Sequence, residues 1–431
     1  MNKMTDKVFR TLLSAFSLLV LAACSSSDDT PDPDPTPGGE ESVSYSVTKS
    51  KILEIDPKVS VSDNATYDWS VSGAPSELYS LQNRTSQKPL FVAAVSGEYK
   101  LKLLISDKGE VSEKDVVVTV NNESKAYKYY INKVYDFKPA PGQFVNDLPP
   151  ANSGDSYETI LRRTNDYLAK EQGTLISLGG FGGYVVFGFD HTIANVKGKR
   201  DFRVLGNAFW AENNPNPEAP TRGGSSEAGV IMVSYDKNGN GLPDDEWYEI
   251  KGAAHDMEGT VFNYELTYHK PDPNKVPVPG GGTGTVMFTD VEYIKWEDNQ
   301  GRTDYMWQNN AYNHSLDYWP KWLDKEQTMT FKGTRLPDNA IDESGTGSYY
   351  VQYAFAYGYA DNAPNTDDES AIDIDWAIDS KGNKVNLPGI DFVKVYNGLN
   401  QQCGWLGETS TEIMGATDLH LKGESIATRV N

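Results

Sequence analysis

Cysteine, histidine and basic side chains are all scarce in this 431-residue chain, and each scarcity closes off a kind of chemistry. The five histidines (His191, His255, His269, His314, His420) include no H-E-x-x-H metal spacing, and no G-x-S-x-G nucleophile elbow occurs. Lysine and arginine total 39 against 61 aspartates and glutamates, a formal net charge of -22. That balance excludes nucleic acid, which selects basic surfaces, and broad attraction to anionic lipid. The acidic excess suits calcium, or serves solubility alone. Carboxylates are so numerous that a glycosidase pair stays open, although none is singled out. The apolar run 11–21 is too short to span a bilayer.

What is there begins with an address. Lys3, Lys7 and Arg10 precede that apolar run, and Leu21-Ala22-Ala23-Cys24 follows it. The arrangement resembles the lipobox of bacterial lipoproteins, which implies a signal peptide over 1–23 and acylation of Cys24. Cys403 is then the one thiol left without a lipid, so the mature chain has no intramolecular disulfide; it reads as a small buried hydrophobe. Residues 24–42 run on as SSSDDTPDPDPTPGGEES after the cysteine, with no hydrophobic side chain. Such a segment cannot offset the entropy of ordering and is expected to be a tether. Asp28 and Asp29 beside the cysteine resemble the surface-export signal of Bacteroidota lipoproteins. The resemblance implies an outer-membrane, lipid-anchored protein exposed at the cell surface, the periplasmic face being the other reading, with membrane contact through the anchor only.

The fold expected is mainly β: a small immunoglobulin/PKD-like sandwich over 43–122, a connecting segment with a helix over 123–174, and a larger, jelly-roll-like β-sandwich over 175–431. Short β-rich runs such as 101–105 and 116–120 are separated by turn signals, Asp107-Lys108-Gly109 among them. Tyr67-Asp68-Trp69-Ser70-Val71 with Gly97-Glu98-Tyr99-Lys100-Leu101 resembles the PKD-like module, in which Trp69 would fill the core. The Gly-Asp-Gly turn usual there is replaced by Ser72-Gly73-Ala74. One helix is predicted where Asp155 and Glu158 take capping-box spacing, Tyr157, Ile160, Leu161, Thr164 and Leu168 share a face, and Gly173 is the stop. Period-two alternation predicts strands over 349–359 and 371–379. The glycines 179–183 lead into a strand, not a helix, so they suit close strand packing rather than a phosphate cradle.

Three segments could carry chemistry. Asp236, Asn238 and Asn240 alternate before Gly241, as in the first half of an EF-hand loop, and Leu242, Asp244 and Asp245 would add oxygens. Position twelve is Trp247 and not glutamate, so weak calcium binding and a plain polar hairpin are both open. Asp361, Asp367, Asp368, Glu369, Asp373 and Asp375 form a second acidic group, read as a solvated edge-strand face in preference to a metal site. The stretch 305–322 sets Tyr305, Trp307, Tyr312, Tyr318, Trp319 and Trp322 among amides such as Asn309 and beside His314, with no helical or strand period. Aromatic faces next to amides suit a flat polar ligand, or else pin a long loop to the core.

The stretches 177–186, 202–209, 389–396 and Cys403-Gly404-Trp405-Leu406-Gly407-Glu408 together resemble the PKD-like-domain "cell surface" lipoproteins of gut Bacteroidota. That resemblance implies a nutrient-binding surface protein, with a corrinoid of the vitamin B12 type as the first ligand and a TonB-dependent outer-membrane transporter as the partner. It brings no catalytic residues. A glycan-binding protein, a carbohydrate-active hydrolase and a structural adhesin are the alternatives.

Overall fold

The computed structural model describes residues 42–122, 126–211, 216, 219, 221–283, 286–312 and 316–428. Cys24 and His314 lie outside these. The architecture is mainly β, with two α-helices among the described residues, Tyr157–Leu168 and Leu419–Lys422.

The first sheets follow from strict alternation. Along Gly97–Asp107, Tyr99, Leu101, Leu103 and Ile105 are buried while Lys100 and Lys102 point outward. This strand pairs antiparallel with Glu110–Asn121 on one side and Thr66–Ser72 on the other, and Val43–Thr48 adds in parallel beside Glu110–Asn121. A three-stranded sheet of Leu53–Glu54, Leu90–Ala93 and Tyr79–Gln82 supplies Phe91 to the same core. Trp69 is fully buried there and donates its indole N–H to the Ser86 carbonyl at 3.0 Å. The hairpin at Asp107 closes with Lys108 and Gly109 at φ 51° and 86°, the two positive angles that a right-twisted two-residue turn requires.

The larger sheet is antiparallel throughout, in the order Ala377–Ile378, Trp247–Ile250, Gly229–Ser234, Gly389–Asn397, Tyr184–Ala194 and Lys133–Lys138. Tyr359–Ala360 also pairs with Gly229–Ser234. The segment 123–174, expected as a connector, therefore contributes an edge strand as well as a helix. Ile160 and Leu168 of that helix enter the main core with Phe187, Ile231 and Val393. The helix is capped by Ser156, whose hydroxyl accepts from the Thr159 amide at 3.2 Å. Asp155 was the expected cap; it is instead drawn to Arg163 at 2.5 Å, which fixes the entry turn. A second core gathers Phe181, Tyr264, Tyr268 and Phe331 under the strands Val261–His269, Val286–Asp298, Thr303–Asn309 and Thr328–Arg335.

Two predicted strands are broken. In the 349–359 stretch only Tyr350–Tyr353 and Tyr359–Ala360 are strands; Val351, Tyr353, Phe355 and Tyr359 are buried, but so are Gln352 and Ala354 of the other face, while Tyr349 is exposed. Within 371–379 a 3-10 turn, Ile374–Trp376, separates two short strands because the Asp373 carboxylate accepts from the Asp375 amide. The glycine run packs as expected: a Cβ on Gly183 would stand 1.8 Å from the Leu178 carbonyl oxygen, and the strand Tyr184–Ala194 follows directly.

Candidate functional site: an acid-lined cavity

Strand pairing brings together carboxylates that are far apart in sequence. Glu227 precedes the strand Gly229–Ser234 and Asp361 follows Tyr359–Ala360; because Gly229 pairs with Ala360, the Glu227 amide meets the Asp361 carbonyl at 2.8 Å. Glu412 sits opposite Ser177 in a short antiparallel pair, and its amide donates to Asp361 Oδ2 at 3.0 Å. Asp361 adopts φ 51°, and its Oδ1 accepts from the Asn207 and Ala208 amides at 2.8 and 2.9 Å. One carboxylate oxygen from each of Glu227, Asp361 and Glu412 lies within 4.8 Å of the others. Asp361 and Glu412 are buried and Glu227 is half-buried.

Glu227 and Glu412 border a cavity of about 330 Å³, whose lining also includes Glu408, Gln143, Asn207, Gln352 and Tyr312. Glu408 is placed by the turn after Gly404–Leu406, and its Oε1 accepts from the Gln143 amide at 2.6 Å. The Gln143 side chain is anchored by donation to the Leu406 carbonyl at 2.8 Å. Among the described residues, Gln143 Oε1 and Glu408 Oε2 are buried with no hydrogen-bond partner. Among the described residues, no lysine or arginine lines the cavity.

The electrostatics follow from burial and like charge. Burial holds the Glu227 carboxyl well above its usual range, reinforced by Glu412 and Asp361. Asp361 is raised by burial and then by Glu412, against its three backbone donors. Glu412 is raised by burial, moderated by the Ser410 hydroxyl at 2.6 Å. Burial pushes Glu408 up to about 8 and the Cys403 thiol up to about 12. Carboxylates this close cannot all ionise without a compensating cation or proton. Cys403 is a buried free thiol, as expected of a small buried hydrophobe.

The aromatic stretch is dispersed rather than gathered. Tyr305, Trp307 and Asn309 lie on the strand Thr303–Asn309, contrary to the expectation of a segment without strand period; that strand is half-covered by Val286–Asp298, and Trp307 packs edge-on to Phe288 at 5.4 Å. Asn309 is fully buried. Tyr318 and Trp319 belong to the second core, 0 % and 2 % exposed, because their rings close the space beneath Tyr293 and Met306. Trp322 leans on the main core, 6.0 Å from the Tyr157 ring. Of the described members of the set, Tyr312 alone reaches the acid-lined cavity. Trp319 borders a second, wider cleft of about 890 Å³, where Lys275 pairs with Asp290 and Lys270 with Asp324.

The 236–245 loop is closed on itself. Asp236 accepts from the Asn240 and Gly241 amides, Asn238 from the Asn240 amide and Asn240 from the Leu242 amide, at 2.8–3.1 Å. The Asn240 side-chain amide donates to Asp244, and Asp245 accepts from the Lys237 amide. In the second acidic group, the expectation of a solvated edge face fails for Asp361 and Asp373, which are 3 % and 2 % exposed. Glu227, Glu412 and Gln143 had no signal in the sequence, since no local spacing connects them. Glu408 did stand inside one of the stretches carrying the family resemblance.

A mainly β protein with an acid-lined pocket is the class that fold and site define. No protein-family model and no curated protein matches the chain. Among solved structures it is similar to the PKD domain from the KIAA 1837 protein, at 20% identity and TM-score 0.18 over 21% of this chain and 90% of that one. It is also similar to a quinonprotein alcohol dehydrogenase-like protein from Bacteroides thetaiotaomicron, at 20% identity and TM-score 0.16 over 21% of this chain and 20% of that one.

Proposed function

We propose that this chain is a lipid-anchored protein of the outer membrane that captures a small polar nutrient and passes it to a TonB-dependent transporter. The observation that carries the reading is the polar wall of the cavity, where Glu227, Glu408 and Glu412 stand beside Gln143, Asn207 and Gln352. Such a wall asks for a ligand rich in donors, and a space of about 330 Å³ falls at the small end of ligand pockets, the size of a single sugar. Asn207, Gln352 and Thr409 add polar groups, and Tyr312, 41 % exposed and packed against Phe144 at 5.7 Å, adds an aromatic ring to the lining. A glycan terminus fits this wall directly. A corrinoid, the ligand that the lipoprotein resemblance implies, exceeds this volume and would have to insert one of its amide substituents.

Calorimetric titration with a monosaccharide panel and with cyanocobalamin tests the reading. Binding that weakens about three- to tenfold in Tyr312→Ala, the worth of one aromatic contact, supports it. Silence towards both ligand classes sinks it, and turnover of a glycan moves the protein to the hydrolase reading. Anchoring is tested separately: metabolic palmitate labelling is expected in the wild type and absent in Cys24→Ala.

A further inference from the structure

We propose that residues 420–428 form a proton-held clasp, closed on the body of the protein while His420 and His191 carry a proton on both ring nitrogens and released as the solution turns alkaline. The clasp uses none of the cavity residues and is measured without a ligand. Among the described residues 420–428 none is buried, and Leu419 just before them is 0 % exposed. The strand Ile426–Ala427 pairs with Lys199–Arg200, which has no other strand beside it. The Thr428 amide donates to the Gly198 carbonyl at 3.0 Å, Arg203 meets Glu424 at 3.0 Å, and Lys199 donates to the Ser425 hydroxyl at 2.9 Å. The segment is therefore held by polar contacts, and a segment with so little apolar anchorage opens well before the fold does.

Two histidines are the part of that hold that pH can change. His420 Nε2 lies 2.8 Å from Asp201 Oδ1, and a backbone hydrogen bond at Ala194 also favours the charged ring. His191 stands between two carboxylates, with Nδ1 3.1 Å from Asp190 Oδ1 and Nε2 2.7 Å from Asp418 Oδ2. The other Asp418 oxygen caps the helix Leu419–Lys422 by accepting from the Leu421 amide at 3.0 Å. A neutral imidazole has one N–H and one lone pair, so only the imidazolium donates to both neighbours of His191. The pairs are crossed: the strand Tyr184–Ala194 sends its histidine to the root of the segment, and the segment sends its own to the aspartate after Lys199–Arg200.

Burial opposes the charge on both rings, but the carboxylates outweigh it: Asp190 and Asp418 raise His191 to about 8, and Asp201 and then Asp418 raise His420. Such groups contribute stability that is whole below the free histidine value of 6.5 and is lost as pH rises through the folded one. Asp201, 0 % exposed, is raised by burial against the pull of His420. Asp373 is raised to about 7 by burial and by Asp201, so it gains its charge over the same interval. The Thr428 hydroxyl donates to Asp373 and eases that charge without cancelling it. The other charges around the rings are Asp375 beside Asp373, Glu424 between Arg203 and Lys422, Lys199 on Ser425, and Arg200, which donates to the Ala371 carbonyl at 3.0 Å. On the His191 side the Tyr127 ring lies 5.0 Å away and the Lys128 backbone amide donates to Asp190. Rising pH thus takes two positive charges from a set already rich in acid and adds a negative one.

The test is hydrogen exchange over 419–428, read by mass spectrometry and corrected for the intrinsic effect of pH, beside an NMR titration of the five histidines after selective carbon-13 labelling. Between pH 6.5 and 9 the wild-type segment should lose protection about tenfold or more, the worth of one charge-assisted hydrogen bond, while the helix Tyr157–Leu168 keeps its own. His420→Gln keeps a donor towards Asp201 but cannot titrate, so its decline should shrink to the share of His191. The His191→Gln, His420→Gln double variant should show no decline. Equal wild-type protection at both pH values, or a decline that survives in the double variant, overturns the proposal. Protection of the Tyr157–Leu168 helix reports whether each variant is folded. Should the double variant not fold, the wild type decides: His191 and His420 resonances that titrate at or below 6.5, or apart from the loss of protection, overturn the proposal as well.

Discussion

Replacing Trp319 with alanine separates core from ligand surface within the aromatic stretch. Trp319 is 2 % exposed, packs with Tyr318, Tyr293 and Met306, and donates its indole N–H to the Leu323 carbonyl at 3.2 Å. An indole removes roughly 200 Å² from water, worth about 5 kcal/mol at ~25 cal/mol per Å². The vacated space adjoins the 890 Å³ cleft, so water can enter and the neighbours can relax, which puts the expected loss near the lower end of the range for such truncations, about 3 kcal/mol. Urea unfolding followed by far-UV circular dichroism measures it as a fall in midpoint at unchanged slope. Tyr312→Ala, at a position 41 % exposed, should move stability by less than about 1 kcal/mol in the same assay. If Trp319→Ala keeps the wild-type midpoint, or Tyr312→Ala is the more damaging of the two, the division of the stretch into core and rim is wrong.

Burial raises Glu408 to about 8, so its neutral form is favoured by folding. The associated stability is fully present below the unfolded carboxyl value near 4.5 and is lost as pH rises towards 8; Glu408→Gln should flatten that decline, by about 5 kcal/mol as a ceiling and less where water fills the cavity, and an unaltered stability–pH profile would refute it. Gly183→Ala should cost more than about 3 kcal/mol or prevent folding, since a Cβ there would meet the Leu178 carbonyl oxygen at 1.8 Å and the Ala140 nitrogen at 2.4 Å; soluble protein with a wild-type melting point would contradict it. Lys108→Gly should gain up to about 1 kcal/mol, because φ 51° is unfavourable for lysine and the side chain is exposed; a destabilised variant would show that the turn is held by something other than its backbone angles.

The sequence by itself settled the class of the fold and much of its local grammar. Period-two alternation marked the inward face of Gly97–Asp107, the spacing of Ile160, Thr164 and Leu168 marked the buried side of the helix, and Trp69 was the right candidate for the first core. These are contacts between residues a few positions apart, which the geometry of a strand or a helix turns directly into a pattern. Strand continuity was less legible, because an aspartate such as Asp373 can draw the backbone into a turn without disturbing the alternation around it. The fate of Tyr318 and Trp319 was not written locally at all: the same aromatics next to amides describe a binding rim or a sealed core, and only packing from distant strands chose the core. The carboxylate site lay furthest out of reach. Glu227, Asp361 and Glu412 meet because Gly229 pairs with Ala360 and Glu412 with Ser177, and pairing across such separations is fixed by the whole sheet arrangement rather than by any stretch of chain.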